Sequence, residues 1–157
     1  MAVRQPLLVS IIGVCVLAFA VGCGALRHSA RMAHAEPGKI QFQSYCAACH
    51  HYDGQGMGDA PPLAGSRWVT GPEQRLIKIV LHGVRGRMEV GGKTYDREMP
   101  GFGAVLNDGD VAARLSFVRA RFGGAGLPIT AESVARLRAA HSGRTDYWPV
   151  EELLREP

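Results

Sequence analysis

The segment Cys46-Ala47-Ala48-Cys49-His50 restricts the possible folds of this chain more than any other feature of the sequence. The chain has four cysteines, and the other two, Cys15 and Cys23, lie in an apolar N-terminal run. The C-x-x-C pair could close a small disulfide or work as a thiol-redox motif. A structural zinc ion takes four ligands, and the sequence has no second C-x-x-C pair to complete such a site.

A cysteine pair followed directly by histidine also matches the attachment sequence of c-type haem. In that chemistry the two thiols add to the vinyl groups of the porphyrin, and the histidine supplies an imidazole to the iron. This interpretation explains the histidine, which a disulfide or a thiol-redox pair leaves unexplained. We therefore predict that Cys46 and Cys49 bind one haem c covalently and that His50 is an iron ligand.

The residues around this motif resemble those of class I bacterial cytochromes c. Residues 38–50, GKIQFQSYCAACH, resemble the N-terminal helix of that family, and residues 51–63, HYDGQGMGDAPPL, resemble its glycine-rich loop. The resemblance implies a small all-α fold wrapped around one covalently bound haem. It also implies that the Pro61 carbonyl accepts the Nδ1 hydrogen of His50, which would fix the ring and raise its basicity. A purely structural role for Pro61 in a rigid turn is the alternative.

The second axial ligand is expected among the methionines that follow the motif. Met57 is too close to reach the opposite face of the haem easily, whereas Met88 and Met99 are both far enough along the chain. Residues 97–103, REMPGFG, resemble the methionine ligand loop of the family, so the resemblance implies Met99, with Met88 as the alternative. Met99 could also simply fill a gap in the core. His/Met ligation fills both axial positions, which indicates electron transfer rather than enzyme chemistry.

Two later segments have the apolar periodicity of helices. Residues 71–83 have a proline near their start, carry an apolar face and stop at a glycine. Residues 107–124 place apolar side chains at helical spacing after an N-cap at Asn107 or Asp108. By the resemblance, an aromatic side chain of this second helix, such as Phe117 or Phe122, packs across the N-terminal helix; a plain core role for these residues is the preferred alternative.

Basic residues between these helices favour a docking face for an acidic partner. In class I cytochromes this region surrounds the exposed haem edge, where charge steers short-lived complexes. A solvated surface of mixed charge is the alternative. Arg67 and Trp68 are candidates for binding the haem carboxylates, although core packing of Trp68 is preferred. The basic residues are Arg75, Lys78, Arg85, Arg87, Lys93 and Arg97, against Glu89, Asp96 and Glu98.

Residues 1–35 predict export from the cytoplasm. Leu7 to Leu26 form an uncharged run of 20 residues behind an arginine. Residues 20–23, AVGC, resemble a bacterial lipoprotein cleavage site, which would leave Cys23 lipidated at the mature N-terminus. Residues 33–35, AHA, fit ordinary signal cleavage, and the apolar run is also long enough to remain as a membrane anchor. All three outcomes place the remaining chain on the periplasmic side of a bacterial membrane.

We expect three segments, namely the leader 1–35, a cytochrome c domain 36–123 and a helical extension 124–157. The extension has Thr130 as an N-cap and is expected to lie back on the domain as a strap, or to contact a larger enzyme.

The resemblance implies an electron carrier between a dehydrogenase or quinol-oxidising complex and an oxidase or another cytochrome. Alternatives are a subunit fixed to a periplasmic dehydrogenase, and a haem sensor or peroxidase-like protein in which the Met99 bond opens. The excess of basic residues, 18 against 14 acidic, is small and scattered, so nucleic-acid binding is excluded.

Overall fold

Helices dominate the structure, a computed structural model that describes residues 38–124 and 127–155. Within these residues the chain forms seven helices and five short strands. The helices are α1 (38–45), α2 (Ala47–His50), α3 (Arg67–Thr70), α4 (Glu73–His82), α5 (Asp108–Phe122), α6 (Ala131–Ala140) and α7 (Val150–Arg155). The strands are β1 (Gly83–Arg85), β2 (Met88–Val90), β3 (Lys93–Tyr95), β4 (Met99–Pro100) and β5 (Trp148–Pro149).

The strands show that the all-α prediction was wrong in part. Strand β1 lies between antiparallel β4 and parallel β5, so Val84 is opposite Met99 on one side and opposite Trp148 on the other. Strands β2 and β3 form a hairpin around Gly91 and Gly92, which both have the positive φ that such a turn requires. Strands of two or three residues are too short to show a period-two pattern in the sequence.

The helix boundaries agree with the capping signals in the sequence. Helix α4 begins directly after Pro72 and ends before Gly83, so the helix predicted for residues 71–83 is confirmed. The Asn107 side chain accepts a hydrogen bond from a backbone N–H of the first turn and is the N-cap of α5. Thr130 caps α6 in the same way, as predicted. These short-range signals are reliable because each side chain satisfies an otherwise unpaired N–H at the start of its helix.

Helices α1 and α5 cross in close contact. Phe42 of α1 is buried, and its ring centroid lies 5.4 Å from that of Phe117 and 5.5 Å from that of Phe122. The predicted aromatic packing across the N-terminal helix is thus confirmed. A side chain at Gly38 would lie 2.1 Å from the Ala113 carbonyl oxygen, so only glycine permits this approach. The crossing fixes the C-x-x-C-H segment, which follows α1, relative to α5.

The extension packs on the rest of the described chain, as predicted. Ile129 and Val134 are buried in one hydrophobic cluster with side chains of α4 and α5. The buried Ser116 hydroxyl accepts from the Ile129 N–H at 2.9 Å and lies 3.2 Å from the Ile129 carbonyl oxygen, to which it donates. A second cluster joins Trp148, Val150 and Leu153 of the extension to Trp68, Ile79, Val84 and Val90.

The leader lies outside the described residues, and with it the predicted lipidation site Cys23, the membrane segment and the alternative cleavage site. Among the helices in the described part of the chain, none is long and apolar enough to span a membrane.

Candidate haem-binding site

A cavity with a largely apolar wall lies between α1, α4, α5 and the strands. Five residues that the sequence analysis selected share this wall, although they are far apart in the chain: Cys46, Cys49, His50, Pro61 and Met99. Most of the remaining wall consists of aliphatic and aromatic side chains. The fold therefore brings two thiols, an imidazole and a thioether to one largely apolar cavity.

The C-x-x-C-H segment is held on a single helical turn. Cys46 is the N-cap of α2, and its carbonyl oxygen accepts from the His50 N–H at 2.9 Å and from the Cys49 N–H at 3.2 Å. Neither cysteine is in a disulfide. Burial raises the pKa of the Cys46 thiol to about 11. A thiol-redox cysteine needs a lowered pKa, so these features disfavour the thiol-redox alternative.

The imidazole of His50 is oriented by the loop that follows it. His50 Nδ1 donates to the Pro61 carbonyl oxygen at 3.0 Å, the pair of partners that the family resemblance implied. With Nδ1 protonated, Nε2 keeps its lone pair for a metal ion. His50 is buried, and burial lowers its pKa, which favours the neutral form that a metal ligand requires.

Two of the three candidate methionines lie in the cavity wall. Met99 on β4 and Met88 on β2 are both partly buried there. Met57 is 56% exposed, and it is not part of the wall. The geometry agrees with setting Met57 aside, and the choice of Met99 over Met88 remains a prediction.

The side chains of this wall fit a covalently attached haem. Two cysteines on one turn could form thioethers, the unprotonated His50 Nε2 could bind the iron, and a methionine thioether could bind it as a second ligand. The largely apolar wall suits a porphyrin ring. The iron of a bound haem can gain and lose one electron.

Comparison with known proteins identifies the family. Residues 33–118 match the family described as cytochrome c oxidase, cbb3-type, subunit III. The chain belongs to the cytochrome c family. Membership implies covalently bound haem c and makes the chain an electron-transfer haem protein.

Curated relatives of this cytochrome include a cytochrome c-552 and cytochrome subunits of two dehydrogenases. A cytochrome c-552 of Thermus thermophilus is 39% identical over 118 residues, which cover 69% of this chain and 78% of that protein. The gluconate 2-dehydrogenase cytochrome c subunit of Pantoea cypripedii is 36% identical over 129 residues, or 74% of this chain and 28% of that subunit. The fructose dehydrogenase cytochrome subunit of Gluconobacter japonicus is 29% identical over 122 residues, or 72% of this chain and 24% of that subunit.

The sequence analysis of this cytochrome missed a buried charged residue in the cavity wall, Arg114. Its side chain is almost fully buried, and its guanidinium lies over the Tyr45 ring at 4.8 Å. Its Nε and Nη1 atoms have no hydrogen-bond partner among the described residues. The available signal was its position three residues after Val111 and one before Leu115, on the buried side of α5. With a haem bound here, a buried positive charge in this wall would favour the reduced state of the iron, which carries less positive charge.

The preferred core packing of Trp68 is confirmed, whereas the carboxylate-binding role considered for it stays a prediction. Trp68 is buried, and its indole N–H donates to the Glu89 carbonyl oxygen at 3.3 Å, so that donor is already in use. Arg67 is exposed and lies outside the cavity wall.

The predicted docking face of this cytochrome loses one of its six basic residues. Lys78 is 4% exposed, and its ammonium lies 4.8 Å from the centre of the Trp148 ring. The extension covers it, which the sequence of α4 alone could not indicate. Arg97 is exposed but pairs with Asp59 at 3.0 Å, so its charge is partly offset. Arg85, Arg87 and Lys93 are exposed.

Proposed function

We propose that this cytochrome carries single electrons through one haem c and is not itself an enzyme. The observation that supports this most strongly is the shared cavity wall of Cys46, Cys49, His50 and Met99. Haem c, when bound, supplies an iron centre that gains and loses one electron.

Each residue has a distinct task in this proposal. Cys46 and Cys49 hold the cofactor covalently, and His50 binds the iron through Nε2. The Pro61 carbonyl holds the imidazole in orientation through Nδ1. Met99 is the second axial ligand, so both axial positions are filled and no position is open for oxygen or peroxide.

The proposed location is the periplasmic side of a bacterial membrane. The support is the leader, in which Cys23 could be lipidated and Leu7 to Leu26 could remain as an anchor. We propose that the donor is a dehydrogenase or quinol-oxidising complex and the acceptor an oxidase or another cytochrome.

A second candidate is an electron-transfer subunit fixed to a dehydrogenase. Two relatives are named as cytochrome subunits of dehydrogenases, and this chain covers about a quarter of each. Purification from its native membrane under mild conditions separates the candidates. A free carrier elutes without dehydrogenase activity, whereas a fixed subunit elutes in a constant ratio with a dehydrogenase.

An absorption spectrum of the full chain, exported from a host with haem-attachment machinery, tests the ligands. We expect a sharp reduced α band and a weak far-red sulfur-to-iron band in the oxidised protein. Met99→Ala should abolish the far-red band. Met88→Ala is the matched control because Met88 lies in the same wall, and it should retain the band. Loss of the band in Met88→Ala alone would instead make Met88 the ligand.

The spin state and carbon monoxide binding decide between carrier and sensor. A high-spin wild-type spectrum, or rapid binding of carbon monoxide to the reduced protein at neutral pH, would mean an open or labile iron position. Either result would replace the carrier with a haem sensor or peroxidase-like protein.

A further inference from the structure

The loop that follows Met99 is held largely by other parts of the chain. We call residues 99–106 the methionine loop. Its first two residues pair with β1, and the Phe102 and Gly103 N–H groups donate to carbonyls at the end of α4 at 2.8 and 2.9 Å. Within the loop, the Leu106 N–H donates to the Phe102 carbonyl at 2.9 Å. The carbonyl oxygens of Gly103 and Leu106 accept from outside the loop.

Arg138, on α6 of the extension, donates to both of these carbonyl oxygens. Its Nη1 donates to the Gly103 carbonyl, and its Nη2 donates to the Leu106 carbonyl at 2.8 Å. Its Nε pairs with Asp108 Oδ1 at 2.7 Å. All three nitrogens of the guanidinium are therefore in use, in the fixed fork geometry that lysine cannot reproduce. The contacts join α6 to the methionine loop and to the first residue of α5.

The extension also reaches the methionine loop from its other end. Trp148 pairs with Val84 on one edge of β1, and Met99 pairs with Val84 on the opposite edge. Next to this pair, a side chain at Gly83 would lie 2.4 Å from the Tyr147 ring and 2.5 Å from the Met99 carbonyl oxygen. The Tyr147 ring thus packs tightly against β1, the strand in which Val84 pairs with Met99.

We propose that Arg138 is a positioning residue for the axial methionine, and that the extension is therefore part of the redox site. This inference rests on the proposed ligation by Met99. The Arg138 guanidinium donates to the carbonyl oxygens of Gly103 and Leu106. These hydrogen bonds keep the segment after Met99 close to α4 and α5. Without this contact the methionine loop opens more often, and the sulfur leaves the iron more often.

The test is the displacement of Met99 by added imidazole in the oxidised full chain with haem attached. Loss of the far-red sulfur-to-iron band reports the rate. Arg138→Gln should speed displacement on the order of tenfold or more, because it removes hydrogen bonds to a charged donor. The matched control is Arg136→Gln, on the same helix, whose exposed side chain bonds only to Ser133 in the described part of the chain. It should leave the rate within about twofold, since surface substitutions change little.

Two further variants keep the proposal testable if Arg138→Gln does not fold. Arg138→Lys keeps the charge but not the fork, and we expect faster displacement than in the wild type. Asp108→Asn leaves Arg138 in place but removes the carboxylate that orients it, and we expect a smaller change in the same direction. The reduction potential should fall in each variant that speeds displacement, because loss of methionine ligation favours the oxidised iron.

The outcomes separate this inference from the proposed function. Equal displacement rates for Arg138→Gln and Arg136→Gln in folded protein would overturn the positioning role. So would a lower free energy of unfolding in Arg138→Gln with an unchanged displacement rate, since that result means a structural role alone. Retention of the far-red band in Met99→Ala would instead refute the ligand assignment itself.

Discussion

Truncation of Phe42 tests how much the packing of α1 against α5 stabilises the fold. The side chain is 1% exposed and packs against two aromatic rings, Phe117 and Phe122. Truncation of a fully buried phenylalanine to alanine costs about 3–5 kcal/mol, because apolar burial is lost and a cavity remains. The two ring contacts place Phe42→Ala in the upper part of this range, at about 4 kcal/mol or more. For a domain of this size such a loss lowers the unfolding midpoint by roughly 15 °C.

Guanidinium unfolding of the exported protein, followed by circular dichroism, measures the change. The control is Tyr52→Ala, an aromatic residue that is 64% exposed, for which we expect a change within about 0.5 kcal/mol. Phe42→Leu should cost less than Phe42→Ala because it keeps much of the buried volume. A loss below about 1 kcal/mol in Phe42→Ala would refute the reasoning, because the cavity left beside the two remaining rings should cost more than that.

Three further predictions concern polar and charged side chains. Ser116→Ala should lower the free energy of unfolding by about 1–3 kcal/mol, because the N–H and carbonyl of Ile129 both lose their partner. Arg114→Gln should lower the reduction potential on the order of tens of millivolts, since it removes a positive charge from the cavity wall. His82 and His141 both have lowered pKa values, mainly through burial, so the unfolded chain binds more protons below about pH 6.5. Stability should therefore fall on acidification through that range, and the double variant to glutamine should flatten the slope.

Each of these predictions has a matched control. Ser44→Ala removes an exposed hydroxyl from α1 and should leave stability nearly unchanged. Arg121→Gln removes an exposed charge from the same helix as Arg114, so equal potential shifts in both variants would mean that only net charge matters. His51→Gln changes an exposed histidine. If it flattens the pH slope as much as the double variant does, the pair is not the cause.

The elements that the sequence predicted correctly are those with short-range signals. Thr130 and the N-cap of α5 satisfy N–H groups within three residues, and Pro72 and Gly83 bound α4 by their own backbone preferences. Such effects depend only on neighbouring residues, so they can be read without the fold. The strands β4 and β5 depend instead on β1, which lies far from both in the sequence. Because β4 and β5 have only two residues each, the sequence of either strand carries no local signal for this pairing.

Lys78, the charged residue that the sequence analysis placed in solvent, is buried by a distant part of the chain. Lys78 lies on α4 among residues that pack in two directions. Leu76, Ile77 and Leu81 belong to the cluster with α5 and α6, and Ile79 belongs to the cluster with Trp148. An isolated helix with one apolar face would leave Lys78 in solvent, and the extension gives α4 a second buried face. Arg138, about which the sequence analysis made no prediction, also depends on distant residues, because its three acceptors lie 30 to 35 residues earlier in the chain.

The contacts of Lys78 and Arg138 show how the extension and the redox site depend on each other. The segment after residue 123 lies beyond the part of the chain that resembles a minimal cytochrome, and it supplies Trp148, which covers Lys78. It also supplies Arg138, which holds the methionine loop. A cytochrome without this segment would have to satisfy the Gly103 and Leu106 carbonyls in another way, by water or by local side chains. The extension therefore replaces solvent contacts beside the proposed axial ligand with fixed protein contacts, which lowers the freedom of the loop.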